Sequence, residues 1–301
     1  MRVALLGLGL IGGSVARSLA RSGGWHVAAW SPSGDGPERA RRDGAVDVAA
    51  RSPEAALDGA GLVILAAPPL ACLALLEDLA GPKRRALAED ATITDVASTK
   101  GRLVARAEEL GLRYVGGHPM AGRDSNGYQA STPDLFEGRP WAVVPAASAR
   151  AEDVARVERL ATTVGARPIR MGAQEHDAAV AAISHLPLVT SVALVEAVAA
   201  WTDERAGAAG TAARLAASGW RDATRLARGD PAMGAGILVT NRAAVRDVLR
   251  AYRAALDEWD RELAAAIGDP EPGEPGLEKR LRARFEAARE RLGEMDRAAE
   301  R

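Results

Sequence analysis

A chain of 301 residues has room for two domains of ordinary size, and a hydrophobic content of 48% is enough to build their cores. A net charge of −1 argues against nucleic acid or an anionic membrane as the main partner. The single cysteine, Cys72, lies in an apolar stretch with no partner for an intrachain disulfide, which fits a reducing, cytoplasmic setting.

Arg2 to Leu6 is a short apolar run, as expected of a strand buried on both faces. It breaks at Gly7-Leu8-Gly9-Leu10-Ile11-Gly12, and a helical pattern follows from about Ile11 to Arg21. Gly23-Gly24 ends that helix, and His26 to Trp30 reads as a second strand. The result is a βαβ unit whose glycines fall at the dinucleotide-binding spacing. Gly7 allows the tight turn, Gly9 lets a pyrophosphate approach bare backbone, and Gly12 lets helix and strand pack closely. The phosphates then sit on the helix N-terminus, where unpaired amides point outward. A secretory leader is the rival reading of this start, but the glycines would spoil its apolar core. Where an acidic residue would hold the adenosine ribose, the chain has Ser31, with Ser33 just beyond. A carboxylate repels a 2′-phosphate and a hydroxyl does not. The cofactor is therefore NADP or NAD, with Ser31 favouring NADP, although Asp35 is near and no arginine follows immediately.

Glu38 to Asp43 looks helical, and Gly61 to Ala67 is another buried strand that brings Ala67 near the cofactor's far half. Ala71 to Leu79 is helical and Ala91 to Val96 is the next strand. This alternation indicates a mainly parallel, doubly wound sheet, in which ligands bind beyond the carboxyl ends of strands. Ser98 or Thr99 follows one such end, either as a site residue or as the cap of a helix from Gly101 to Leu110. Tyr114-Val115 reads as a short strand followed by a loop, Gly116 to Gly122, that places His118 at a strand end. A histidine there suits proton transfer better than core packing. Trp141 to Pro145 and Arg167 to Met171 are the last strands, separated by a helix from Glu152 to Val164.

From about Ala173 the pattern changes to long helices, giving a dinucleotide-binding domain over 1–172 and a helical domain over 173–301. The apolar run Ala178 to Trp201 carries Ser184, His185 and Glu196, polar content that argues for a buried helix and against a membrane span. Pro187 should kink it at Leu186, which could aim His185 into a cleft. His176 and His185 are nine apart and cannot share a helix face, so no metal is implied. Arg221 and Arg225 lie one helical turn apart and can meet an anion together. Asp269 to Gly276 is a linker, and Leu277, Leu281, Phe285, Ala288 and Leu292 form one apolar stripe beyond it.

The motifs GLGLIGGS, TDVASTKG, GGHPMAG with RDSNGY, DLFEGRPW, SHLP and GWRDATRLA occur in the order seen in prephenate and arogenate dehydrogenases, which this chain resembles from Arg2 to Ala266. The resemblance implies a Rossmann-type domain joined to an all-helical domain that forms a homodimer. It also implies oxidative decarboxylation of prephenate to 4-hydroxyphenylpyruvate in tyrosine biosynthesis, or of arogenate, with hydride passing to NAD(P). By motif, His118 resembles the histidine that helps remove the proton of the ring C4 hydroxyl, and Ser98 the serine that orients it. His185 resembles a pocket histidine, and Arg225 the arginine that binds a substrate carboxylate. Asp124 falls at the pocket mouth, and Arg221 is similar to a basic residue one turn before Arg225. Gly234 stands where the family often has a tryptophan. The related β-hydroxyacid dehydrogenases use a later lysine, and none occurs between Lys100 and Lys279. A non-catalytic cofactor sensor would keep the glycines without needing His118, Ser98 and Arg225 together.

Overall fold

The computed structural model describes residues 1–123, 125–264 and 276–299. They fall into two compact units, Met1–Arg246 and Asp247–Arg301. The first unit opens with β1 (Arg2–Leu6), α1 (Leu10–Ser22), β2 (His26–Trp30), α2 (Asp35–Arg42), β3 (Val48–Ala49) and α3 (Pro53–Leu57). It continues with β4 (Leu62–Leu65), α4 (Pro69–Ala80), β5 (Thr92–Asp95) and α5 (Gly101–Glu109). The strands form one parallel sheet in the order β3-β2-β1-β4-β5, half of a doubly wound fold. Both faces of β1 are covered: Val3 and Leu5 join the core under α1, while Ala4 and Leu6 join the core under α4 and α5. Burial on both faces is why these strands read as unbroken apolar runs. Leu6 pairs with Trp30 and Leu65, so three strands end in line at the edge where Gly7, Ser31 and Ala66 follow.

A second sheet, β6 (Val115–Pro119), β7 (Pro140–Pro145) and β8 (Arg167–Arg170), meets the first through a bridge between Ile93 and Tyr114. Its β6 and β7 run antiparallel, an exception to the expected parallel order, and α6 (Ala151–Thr163) covers it. The loop expected after Val115 is instead strand as far as Pro119. Its glycines are there for close approach and make no turn: a Cβ on Gly117 would lie 2.4 Å from the Asp95 carbonyl oxygen.

The helices begin with α7 (Ala173–Val180), a π-helical segment Ala181–His185, and α8 (Leu186–Asp203). Leu186 keeps helical dihedrals (φ −61°, ψ −49°), and its N–H reaches back five residues to the Ala181 carbonyl. The irregularity expected of Pro187 is thus taken up as a wide turn just before it, with no kink at Leu186. The run Ala173–Asp203 is long and apolar enough to cross a membrane by length and composition. Contrary to the buried helix expected, little of it is buried in the single chain, and Ser191, which is, has its Oγ accept the Ala227 N–H at 3.0 Å. Then follow α9 (Ala208–Leu215), α10 (Ser218–Ala223), α11 (Pro231–Thr240) and α12 (Arg242–Ala264). Because α10 ends at Ala223, Arg221 and Arg225 do not share a continuous helix.

In the second unit, α13 (Leu277–Ala299) packs on α12, with Phe285 5.7 Å from Trp259 and Arg284 3.9 Å over the same indole. Glu262 pairs with Arg280 and Arg284 at 3.0 and 3.2 Å. The linker read over Asp269 to Gly276 lies, except for its last residue, outside the described residues.

Candidate active site

The turn after β1 dictates its own glycines. Gly7 has φ +107°, and a Cβ there would sit 2.2 Å from the Ala66 carbonyl oxygen. A Cβ on Gly12 would lie 2.4 Å from the Gly7 carbonyl oxygen, whereas one on Gly9 would meet nothing within 4 Å. Gly9 therefore borders open space at the start of α1, whose first turn has no side-chain cap and no acidic residue. Uncapped amides and bare backbone fit a pyrophosphate. A cleft of about 610 Å³ opens there, lined by Gly7, Leu8, Gly9, Ser31, Ser33 and Ala67. Leu10, Ile11 and Gly12 form the first turn of α1 outside that lining. Arg39, on the turn of α2 after Asp35, faces the same cleft, a basic residue that adjacency to Ser31 did not reveal.

Asn126 lines this cleft and also a neighbouring cavity of about 540 Å³. That second cavity brings together Ser98, His118 and Arg225, with Arg123, Arg228 and Ser184. Three arginines on the wall of one cavity suit an anion. Arg221 is exposed and outside this lining, and Asp124 lies outside the described residues. His185 is buried behind the wall, in the π segment that turns its neighbour Ser184 to the cavity. Its Nδ1 accepts from Asn241 Nδ2 at 3.1 Å, and its Nε2 has no hydrogen-bond partner among the described residues. Burial first, then the neighbouring His176, push its pKa down to about 4, against the pull of Asp177.

The β5–α5 connection carrying Ser98 is fixed from both sides. Neither Ser98 nor Thr99 caps α5; Asp177 of α7 does so from a distance, accepting the N–H of Lys100 at 2.7 Å and of Gly101 at 2.8 Å. Thr99 Oγ1 instead meets Thr240 Oγ1 at 2.9 Å. Beneath it, the fully buried Asp95 carboxylate receives Lys100 Nζ and the Tyr114 hydroxyl, along with the Ala97 N–H at 2.7 Å. Burial, and then the Asp95 charge, push the Tyr114 hydroxyl well above its usual range, so it stays a donor.

His118 stands in β6 opposite Ala142, with Nδ1 2.9 Å from His176 Nε2. His176 Nδ1 in turn lies 2.9 Å from Asp177 Oδ1. Burial, then the nearby His176, Lys100 and His185, hold His118 well below the usual imidazole range, so it is neutral in the resting site, with a ring lone pair available. Burial alone would raise Asp177, but His176 and the two α5 amides outweigh it and keep a carboxylate. His176 was weighed in the sequence only as a metal ligand; its approach to His118 across 58 residues leaves no local signal. Among the described residues, no three His, Cys, Asp or Glu side chains are placed to hold a metal ion.

Comparison with known proteins agrees with this geometry. The model of the prephenate dehydrogenase nucleotide-binding domain matches residues 15–170, and that of the prephenate dehydrogenase dimerization domain matches residues 172–271. The chain is 32% identical to the prephenate dehydrogenase of Bacillus subtilis (strain 168), over 87% of this chain and 68% of that protein. The structure of prephenate dehydrogenase from A. aeolicus, in complex with hydroxyphenyl propionate and NAD+, superposes with a TM-score of 0.81 at 25% identity, covering 98% of both chains. Synechocystis arogenate dehydrogenase superposes with a TM-score of 0.76 at 31% identity, covering 97% of this chain and 100% of that one. A dinucleotide turn, a cavity walled by a neutral histidine and arginines, and matches along nearly the whole length lead to one assignment: the chain belongs to the prephenate dehydrogenase family, nicotinamide-dependent oxidoreductases with a Rossmann-type domain followed by a helical one.

Proposed function

We propose that the chain catalyses the NAD(P)-dependent oxidative decarboxylation of prephenate to 4-hydroxyphenylpyruvate. The observation that carries this reading is that His118 and Arg225 line one cavity, which meets the dinucleotide cleft at Asn126. Bound in that cleft, the nicotinamide supplies the acceptor for a hydride from ring C4. His118 takes the proton of the C4 hydroxyl, with Ser98 beside it to orient that hydroxyl. Pushing electrons from oxygen towards C4 favours loss of the hydride, and departure of carbon dioxide with aromatisation makes the step irreversible. The substrate carries two carboxylates, which Arg225, aided by Arg123 and Arg228, would hold.

Arogenate is the second reading, favoured by the 31% identity to the Synechocystis enzyme. It differs by an amino group on the side chain, and the same site chemistry serves it. For the cofactor, Ser31, Ser33 and Arg39 on one cleft favour NADP, against the Asp35 carboxylate on the same lining. A division near residue 172 separates the cofactor and helical parts, and the helical part is proposed to join two copies in a cytoplasmic homodimer. The test is purified protein with prephenate or arogenate, each against NAD and NADP, following absorbance of the reduced cofactor. Turnover of prephenate is the expected result; turnover of neither substrate would refute the assignment, and a strong NAD preference would refute the cofactor choice.

A further inference from the structure

We propose that His176 is a positioning residue that fixes the tautomer of His118, placing the proton on Nδ1 and the lone pair on Nε2. The inference rests on the reading of His118 as the base of the reaction.

It follows from counting donors along one line of contacts. The Asp177 carboxylate already accepts two backbone amides at the start of α5 and can only accept again. His176 Nδ1, 2.9 Å away, must therefore carry the proton; a lone pair there would face an anion. For His118 to act as the base, the ring nitrogen turned away from His176 must be bare, so its own hydrogen sits on Nδ1 and is donated to His176 Nε2 at 2.9 Å. That leaves Nε2 of His118 unprotonated, on a ring that lines the cavity. Both histidines are buried, so solvent does not compete for these hydrogens.

The arrangement also gives the proton a destination. When His118 Nε2 takes the hydroxyl proton, the O–H bond breaks and an N–H bond forms. The Nδ1 proton can then shift to His176 Nε2, leaving the positive charge on an imidazolium beside Asp177 while His118 returns to neutrality. A site in which burial disfavours a charged His118 thereby still serves as a proton acceptor.

With four histidines in the chain, ring-¹⁵N labelling and proton–nitrogen correlation on the resting enzyme resolve each tautomer. The expected spectrum shows His118 protonated on Nδ1. In His176→Gln, where the amide oxygen keeps an acceptor at the Nε2 position, that tautomer persists and kcat stays within about tenfold. In His176→Phe, the His118 ring moves to the Nε2–H form and kcat falls by about 10²-fold or more with KM little changed, the scale of a lost general base. Wild-type His118 protonated on Nε2 would overturn the proposal, as would His176→Phe with an unaltered tautomer and kcat. If His176→Phe does not fold, the wild-type spectrum decides alone. The spectrum needs no substrate, so an enzyme inactive on prephenate would refute the functional reading without touching this one.

Discussion

The same added methyl group should have opposite consequences at Gly7 and Gly9. At Gly7 it meets the Ala66 carbonyl oxygen at 2.2 Å on a backbone with φ +107°, so Gly7→Ala should lower the melting temperature and abolish cofactor binding together. At Gly9 it meets nothing, so Gly9→Ala should stay within about 1 kcal/mol of wild type while cofactor affinity falls, because the methyl occupies the space for the pyrophosphate. Thermal denaturation and cofactor titration by fluorescence check both. For His118, removal of the imidazole should lower kcat by about 10² to 10⁴ with the cofactor still bound, whereas Arg225→Ala should chiefly raise KM. The depressed pKa of His118 sets a pH dependence too. A base that already holds no proton at pH 7, because burial, His176, Lys100 and His185 all disfavour its charge, loses activity only well below the usual imidazole range. The acid limb of log kcat/KM should therefore fall below pH 6.5; a limb centred at or above 6.5 would refute a desolvated base.

At the scale of elements, β5, α5 and β6 are held together by the buried Asp95–Lys100–Tyr114 cluster. Lys100→Ala would leave the Asp95 carboxylate buried without its counter-charge, and the expected cost is about 3–5 kcal/mol in chemical denaturation. A loss below 1 kcal/mol would mean that the pair does not anchor these elements. The same region shows what a sequence can disclose. The β1–α1–β2 unit was legible because its turn, helix and strands are contiguous and its glycines fall at a fixed spacing. The end of β6 was misread because Gly116 and Gly117 resemble a turn in one dimension, yet their missing side chains make room for Lys100, Asp95 and Trp141. A cap on α5 is one of the two roles that the position of Ser98 and Thr99 offers, yet the acceptor arrives from Asp177. His176, Arg123 and Arg228 were missed for the same reason: they join the site or its support through space.

At the scale of the molecule, α8 is apolar on all sides yet leaves Val192, Leu194, Val195 and Trp201 exposed in the single chain. Such a surface calls for cover, and the match of residues 172–271 to a dimerization domain indicates a second copy. The enzyme should sediment at twice the chain mass, and Val192→Glu with Val195→Glu, three apart on one face, should yield monomers; a monomeric wild type at micromolar concentration would exclude this cover. The wide turn at Ala181–His185 bears on that face as well. It absorbs one residue with little net turn of the helix beyond it, and so keeps the association stripe in phase with the catalytic wall. Deleting Ala182 would close the wide turn to the ordinary winding and leave the helix beyond it in nearly its present phase, whereas deleting a residue within α8 would swing everything after it by about 100°. The first should disturb Ser184 and catalysis while assembly persists; the second should turn the apolar stripe away from its partner and break assembly. A one-residue deletion is consequently far more tolerable to assembly at this turn than within α8.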